Sequence, residues 1–185
     1  GNFSNVNDMF ARLMGYNFTV RNNLITERGA IIANFYAFLI TPRGASPVIP
    51  HGIKIYDNTA YSDDGGGFIL ANVCSTCVNT EVRNNIVFSP STTNGKIVQG
   101  SAAGLDVRNN IGYFPADPAD CVSASGASTC TNPLFVSTDS SSADFLKVQS
   151  NSPAIDSGGV VPVYSDYLRN TRPGNSIWDV GAYEN

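Results

Sequence analysis

Apolar and polar positions alternate along this chain in short runs, and the runs return. Val-Arg-Asn-Asn-Leu occupies 20–24, Val-Arg-Asn-Asn-Ile occupies 82–86 and again 107–111, and Ile-Tyr-Asp-Asn-Thr at 55–59 is a looser copy. Take the last Asn of each copy as anchor: Asn23, Asn58, Asn85 and Asn110, separated by steps of 35, 27 and 25 residues. Five residues before the anchor stand Phe18, Ile53, Thr80 and Leu105; three before stand Val20, Ile55, Val82 and Val107; one after stand Leu24, Thr59, Ile86 and Ile111. These mostly apolar columns are expected to point inward. The columns between them, Thr19, Lys54, Glu81, Asp106 and Arg21, Tyr56, Arg83, Arg108, are polar and are expected to point outward. A period of two is that of a half-buried strand.

A second motif runs in phase with the first: Gly-Ala-Ile-Ile-Ala-Asn at 29–34, Gly-Phe-Ile-Leu-Ala-Asn at 67–72 and Gly-Lys-Ile-Val-Gln-Gly at 95–100. Repeats of 20–50 residues mark solenoids or propellers. These units are too short for four-stranded blades and lack hairpin dipeptides between paired strands. The expected fold is therefore all-β, a right-handed parallel β-helix of about four coils, spanning 18–115. The anchor asparagines read as corner residues: Asn tolerates left-handed backbone, and its amide can bond its counterpart one coil away. Residues 4–15 carry Val6, Met9, Phe10, Leu13 and Met14 at helical spacing, which predicts an amphipathic capping helix within 1–17. The alternative is an inserted segment with further coils preceding it, since Gly-Asn-Phe-Ser-Asn at 1–5 has the look of the end of an Asn corner. The chain opens on Gly1 rather than Met, as a processed protein or a piece of a longer one would.

Composition narrows the setting. Of the 185 residues only 14% are charged, against about 25% in an average domain. Asn, Ser, Thr and Gly carry the solvation instead, which suits an extracellular all-β protein. The net charge of −4 lacks the basic footprint of a nucleic-acid binder, and no apolar run is long enough to cross a membrane as a helix. Four cysteines are present. Cys74 and Cys77 form a CxxC that could suggest zinc, but zinc needs four ligands and Cys121 with Cys130 have the wrong spacing for a knuckle, so the four read as two local disulfides of an oxidising compartment.

Beyond Asn110 the column pattern stops. Residues 116–185 then show Asn132–Phe135 (NPLF), Asp144–Leu146 (DFL), Ser152–Asp156 with Gly158 (SPAID-G), Arg172–Pro173 (RP) and Asp179–Glu184 (DVGAYE). This succession resembles the C-terminal module of secreted bacterial right-handed β-helix proteins, a group of polysaccharide lyases, glycoside hydrolases and relatives. The resemblance covers most of the chain, because Asn-Asn-Ile coils belong to the same pattern. It implies a capping segment that closes the C-terminal end, with Asp156, Asp179 and Glu184 as structural hydrogen-bond acceptors.

No GxSxG, HExxH, P-loop or GxGxxG motif is present. Candidate chemistry lies on the outward strand face, where Arg21, Lys54, Arg83 and Arg108, four of the 11 basic residues, form a track suited to an acidic polysaccharide. Arg21 and Arg108 would clamp carboxylates. Lys54 or Arg83 would serve as base or charge neutraliser and Tyr56 as acid in a lyase reaction. The competing reading is a solvated face laced by Lys54–Glu81 and Arg83–Asp106 ion pairs. The long loop 41–51 adds Arg43 and His51 as substrate contacts. Glu27, Asp63 and Asp64, in turns expected to be equivalent, are candidate ligands for Ca²⁺ or an acid–base pair of a glycosidase, and Asp-Asp-Gly-Gly is equally a plain turn. Three functions remain open: a lyase-like enzyme, a glycan-binding module without catalysis, and a unit that associates end to end into fibres.

Overall fold

The computed structural model describes residues 3–5, 9–27, 34–42, 44, 48–63, 65–118 and 128–185. Its strands follow one another in a repeating order. β1 (Phe3–Asn5) and β2 (Met9–Leu13) open the chain. Three full coils follow: β3 (Thr19–Arg21), β4 (Leu24–Glu27) and β5 (Asn34–Ile40); β6 (Lys54–Tyr56), β7 (Thr59–Ser62) and β8 (Gly67–Val73); β9 (Glu81–Arg83), β10 (Ile86–Phe88) and β11 (Gly95–Gly100). β12 (Asp106–Arg108), β13 (Ile111–Tyr113) and β14 (Thr129–Cys130) complete the set. Every strand pairs in parallel with its counterpart in the next coil, giving three sheets: β3-β6-β9-β12, β1-β4-β7-β10-β13-β14 and β2-β5-β8-β11. This is the winding of a parallel β-solenoid, in which each coil contacts chiefly its neighbours.

The register of the first sheet is the one the columns require. Thr19, Lys54, Glu81 and Asp106 align, as do Val20, Ile55, Val82 and Val107, and Arg21, Tyr56, Arg83 and Arg108. Ile55, Val82 and Val107 lie in the main core with Phe35, Phe38 and Phe68. At the corner after this sheet the work is divided between the two residues of each Asn pair. Asn22, Asp57, Asn84 and Asn109 take the left-handed backbone, with φ of 52–57°. The anchors turn inward and bond in series: Asn23 Nδ2 donates to Asn58 Oδ1 (2.8 Å), Asn58 Nδ2 to Asn85 Oδ1 (3.0 Å) and Asn85 Nδ2 to Asn110 Oδ1 (2.9 Å).

Because the anchor points in, the residue after it points out, and this reverses one expected column. Leu24 packs with Phe145, Leu146 and Ala182, and Ile86 and Ile111 pack with Ala154 and Val180. The inward residues of these strands are Ile25, Ala60 and Val87. The column was apolar because the C-terminal segment covers it. That segment lies along the flank of the coils, not across their end.

Two further expectations change. Residues 3–5 and 9–13 are strands, not a helix: Phe3 pairs with Leu24 and Leu13 with Ile40. Leu13 is buried in the main core with Phe10 against it. Over five residues, helical and alternating apolar patterns overlap, and the open edge of β5 decides in favour of a strand. The in-phase strand before β8 is Asn34–Ile40, since Asn34 pairs with Gly67; the expected Gly29 start lies outside the described residues. Cys74 and Cys77 form a disulfide, and Cys130 is disulfide-bonded to a partner outside the described residues.

A second corner, before the first sheet, stacks Asn17, Gly52, Asn79 and Gly104, all at positive φ. A Cβ on Gly52 would meet Asn17 Oδ1 at 2.5 Å, and one on Gly104 would clash with Asn79 Oδ1. The asparagine amides occupy the space that the glycines leave open.

Candidate functional site

The C-terminal segment decides which part of the outward face stays accessible. It descends the flank about two residues per coil. Asn109 Nδ2 donates to Ser157 O (3.4 Å), Asn84 Nδ2 to Gly159 O (2.8 Å) and Asn22 Nδ2 to Ser165 O (2.5 Å). At the level between, Val161 and Val163 pack on Tyr56. After residue 170 the chain turns back, and Arg172 enters the wall beside Asp57 (Nη1 to Oδ1, 2.8 Å), with both side chains fully buried. Arg172 also donates to the carbonyls of Gly181 (2.6 Å) and Tyr183 (2.8 Å), and Glu184 Oε2 lies 3.4 Å from its Nε. Such a pair persists only when its remaining donors are satisfied. Burial pushes the Asp57 carboxyl up to about 7, against the pull of Arg172 and the Asn84 amide. Burial also raises Glu184.

The three carboxylates expected to be structural are so. Asp179 accepts from the amides of Asp156 (2.8 Å) and Asn185 (2.7 Å), Glu184 from that of Gly174 (2.8 Å), and Asp156 from Asn175 Nδ2 (2.8 Å).

Of the residues proposed for lyase chemistry, Tyr56 is 1% exposed. Its hydroxyl donates to Glu81, and burial followed by that bond raises the phenol further above its ordinary range. Arg83 is held between Glu81 (3.3 Å) and Asp106. Arg108 bonds Asp106 through Nε (2.5 Å) and Nη2 (2.7 Å), and this holds the Asp106 carboxyl below its usual range. The Arg83–Asp106 pair is thus present. Glu81 is engaged by Tyr56 and Arg83, so Lys54 has no side-chain partner among the described residues.

The open part of the face lies on β3 and β6. Arg21 is exposed, has no ion-pair partner among the described residues, and stands in a cleft of about 400 Å³ whose other wall includes Asp166, Tyr167 and Arg169. Lys54 is half-buried and aligns with exposed Thr19. Upstream on the same coils, Tyr16 and His51 form a parallel bridge, and their rings stack at 5.1 Å with planes 9° apart. Tyr16 is 59% exposed. His51 Nδ1 lies 3.0 Å from Ile49 O, which can only accept, so Nδ1 carries the hydrogen and Nε2 faces away. A stacked aromatic pair, a hydroxyl and two cations thus share two neighbouring coils, the aromatic pair before the Asn17–Gly52 corner and the cations after it.

Of the proposed calcium ligands, Glu27 and Asp63 are described. Glu27 is 2% exposed and accepts from Ser62 Oγ (2.5 Å), its register partner, whereas Asp63 is exposed one position further along. No group of three or more metal-ligating side chains occurs among the described residues. Asp64 and Arg43 lie outside the described residues.

Tyr16 and Arg169 were missed from the sequence. Tyr16 was legible, since it stands seven residues before its anchor, as His51 does. Arg169 was not, because it sits in a turn without periodicity. No protein-family model matches the chain, and no curated protein and no solved structure matches it.

Proposed function

We propose that this chain is an extracellular, right-handed parallel β-helix module that binds an acidic polysaccharide without cleaving it. The observation that carries this reading is the strip on β3 and β6, where Arg21 and Lys54 make no salt bridge among the described residues and stand on the same two coils as the exposed Tyr16–His51 stack. Aromatic faces receive sugar rings, guanidinium and ammonium groups receive carboxylates, and both can act at once on a chain of uronates. The resemblance of the C-terminal segment to secreted bacterial β-helix proteins supports the same class, as does disulfide bonding.

The geometry speaks against turnover. A lyase acid must reach the leaving oxygen, but Tyr56 is covered and committed to Glu81. Arg83 would have to neutralise a substrate carboxylate while holding two of its own. Of the three groups expected to carry the chemistry, only Lys54 is uncommitted.

The test is electrophoresis through gels containing polyuronates, with and without Ca²⁺, beside an absorbance assay for unsaturated uronate. The expected result is retarded migration that weakens with salt and falls at least tenfold in affinity in the Arg21→Ala/Lys54→Ala double variant, with no rise in absorbance. An absorbance rise would restore the lyase reading. Free migration through every glycan would favour a purely structural module.

A further inference from the structure

His51 is the chain's only histidine, and it stands inside the strip that would hold an acidic glycan. In its column it has a described neighbour on each side, Tyr16 one coil before and Val78 one coil after, each joined to it by a parallel bridge. Its backbone is pinned. The His51 amide donates to Gly15 O (3.3 Å), its carbonyl accepts from the Asn17 amide (2.9 Å), and the Val78 amide donates to Pro50 O (3.1 Å). The side chain is exposed nonetheless. Three residues further along the same two coils stand Thr19 and Lys54, paired in register, with Arg21 beyond Thr19.

The loop fixes how the imidazole works. Ile49 O, 3.0 Å away, holds the hydrogen on Nδ1, so the lone pair of the neutral ring sits on Nε2, which faces away from the loop. A lone pair aimed outward repels a carboxylate. Protonation reverses the sign at that one atom: Nε2 becomes a charged donor, and Nδ1 keeps its bond. The Tyr16 ring, lying parallel at 5.1 Å, presents its face to the cation. The charged surroundings favour the neutral ring until a ligand arrives. Lys54 follows on the same coil. On the coil of Val78 the first charged group is Glu81, which stands opposite Lys54 and is taken by Tyr56 and Arg83. Residues 48–50 carry no charge, and Arg43 lies outside the described residues. His51 makes no salt bridge among the described residues. The carboxylate that would offset an imidazolium here must come from the ligand.

We propose that His51 makes glycan capture at this strip proton-dependent: its imidazolium binds a uronate carboxylate beside Lys54 and Arg21, and its neutral form does not. This rests on the glycan-binding reading above and adds its regulation. Binding and protonation are then linked in both directions, since acid tightens the complex and a bound uronate draws a proton onto Nε2. The strip holds its ligand in acid surroundings and loosens it as the medium turns neutral, with no movement of the backbone.

The test is fluorescence anisotropy of a labelled oligogalacturonate titrated with the intact protein at about pH 5.5 and about pH 7.5. These values lie on either side of the imidazole range and above the ordinary carboxylate range, so the ligand keeps its charge. Affinity is expected to be about fivefold higher at the lower pH, the gain of one partly exposed ion pair. His51→Gln should bind at both values as the native chain does at the higher one, and His51→Lys as it does at the lower one. The Asp57 carboxyl, raised by burial to about 7, is intact in both variants and cancels from the comparison. At the higher pH, adding the ligand should move the His51 Cε1 proton in NMR spectra toward its acid position. Equal affinity of the native chain at both pH values, or a pH response that survives in His51→Gln, would overturn the inference and leave the glycan-binding reading standing. No binding at either pH, by the native chain or by His51→Lys, would overturn both.

Discussion

Replacing Asn85 with alanine tests whether the amide ladder is a main support of the corner. Asn85 Oδ1 accepts from the Asn58 amide (3.0 Å) and from Asn58 Nδ2 (3.0 Å); its own Nδ2 reaches Ile55 O (3.0 Å), Arg83 O (2.9 Å) and Asn110 Oδ1 (2.9 Å). After truncation several partners retain a second bond. Asn58 Nδ2 keeps Val20 O (3.2 Å), Arg83 O keeps the Asp57 amide (3.3 Å) and Asn110 Oδ1 keeps the Asn85 amide (2.9 Å). The Asn58 amide keeps none, and it is fully buried. An orphaned buried donor costs about 1–3 kcal/mol and each of the four further lost bonds about 0.5–1.5 kcal/mol, so Asn85→Ala should destabilise by about 3 kcal/mol or more. Urea unfolding followed by circular dichroism and by Trp178 fluorescence measures the cost. Less than about 1 kcal/mol at Asn85 would refute the argument from orphaned groups.

Gly52→Ala should destabilise by about 1–3 kcal/mol, because it combines a left-handed φ of 64° with a Cβ 2.5 Å from Asn17 Oδ1. Pairing it with Asn17→Gly should recover the clash and leave the backbone strain, and a double variant no more stable than the single one would count against this packing. Asp57 should tune stability with pH. Its folded pKa of about 7 lies above the usual value of about 3.9, so the folded chain holds a proton that the unfolded chain releases. The resulting stability is complete below about pH 4 and is lost as pH rises through about 7. Asp57→Asn suits the left-handed corner as Asn22, Asn84 and Asn109 do, and it should flatten that part of the profile; an unchanged difference between urea midpoints at low and neutral pH would show that another group is responsible.

How far the sequence reaches is clearest at the corner residues. The repeated Val-Arg-Asn-Asn announced parallel stacking, the register of the first sheet and the amide ladder, because side chains in a strand alternate strictly and a stacked coil must repeat its column. It did not say which Asn of each pair takes the left-handed backbone. Either residue tolerates that geometry, and the choice follows from which one must turn inward to meet its counterpart. Once the second turns inward, Leu24, Ile86 and Ile111 face out, and the sequence is silent about the segment that covers them.

The candidate site shows the same division. Arg21 and Lys54 were legible as outward cations from period two alone. The Arg83–Asp106 pair was legible as the competing reading, but the burial of Tyr56 was not, because it depends on contacts made across 100 residues or more. Local alternation is a property of the strand, and the sequence by itself determined it: a parallel coil, its columns and its polar face. Burial and ion pairing are properties of what lies against that face. Only the tertiary structure decided that the C-terminal segment descends the flank, sequesters Tyr56 and plants Arg172 on Asp57. The contacts of an aperiodic segment obey no repeat from which they could be read.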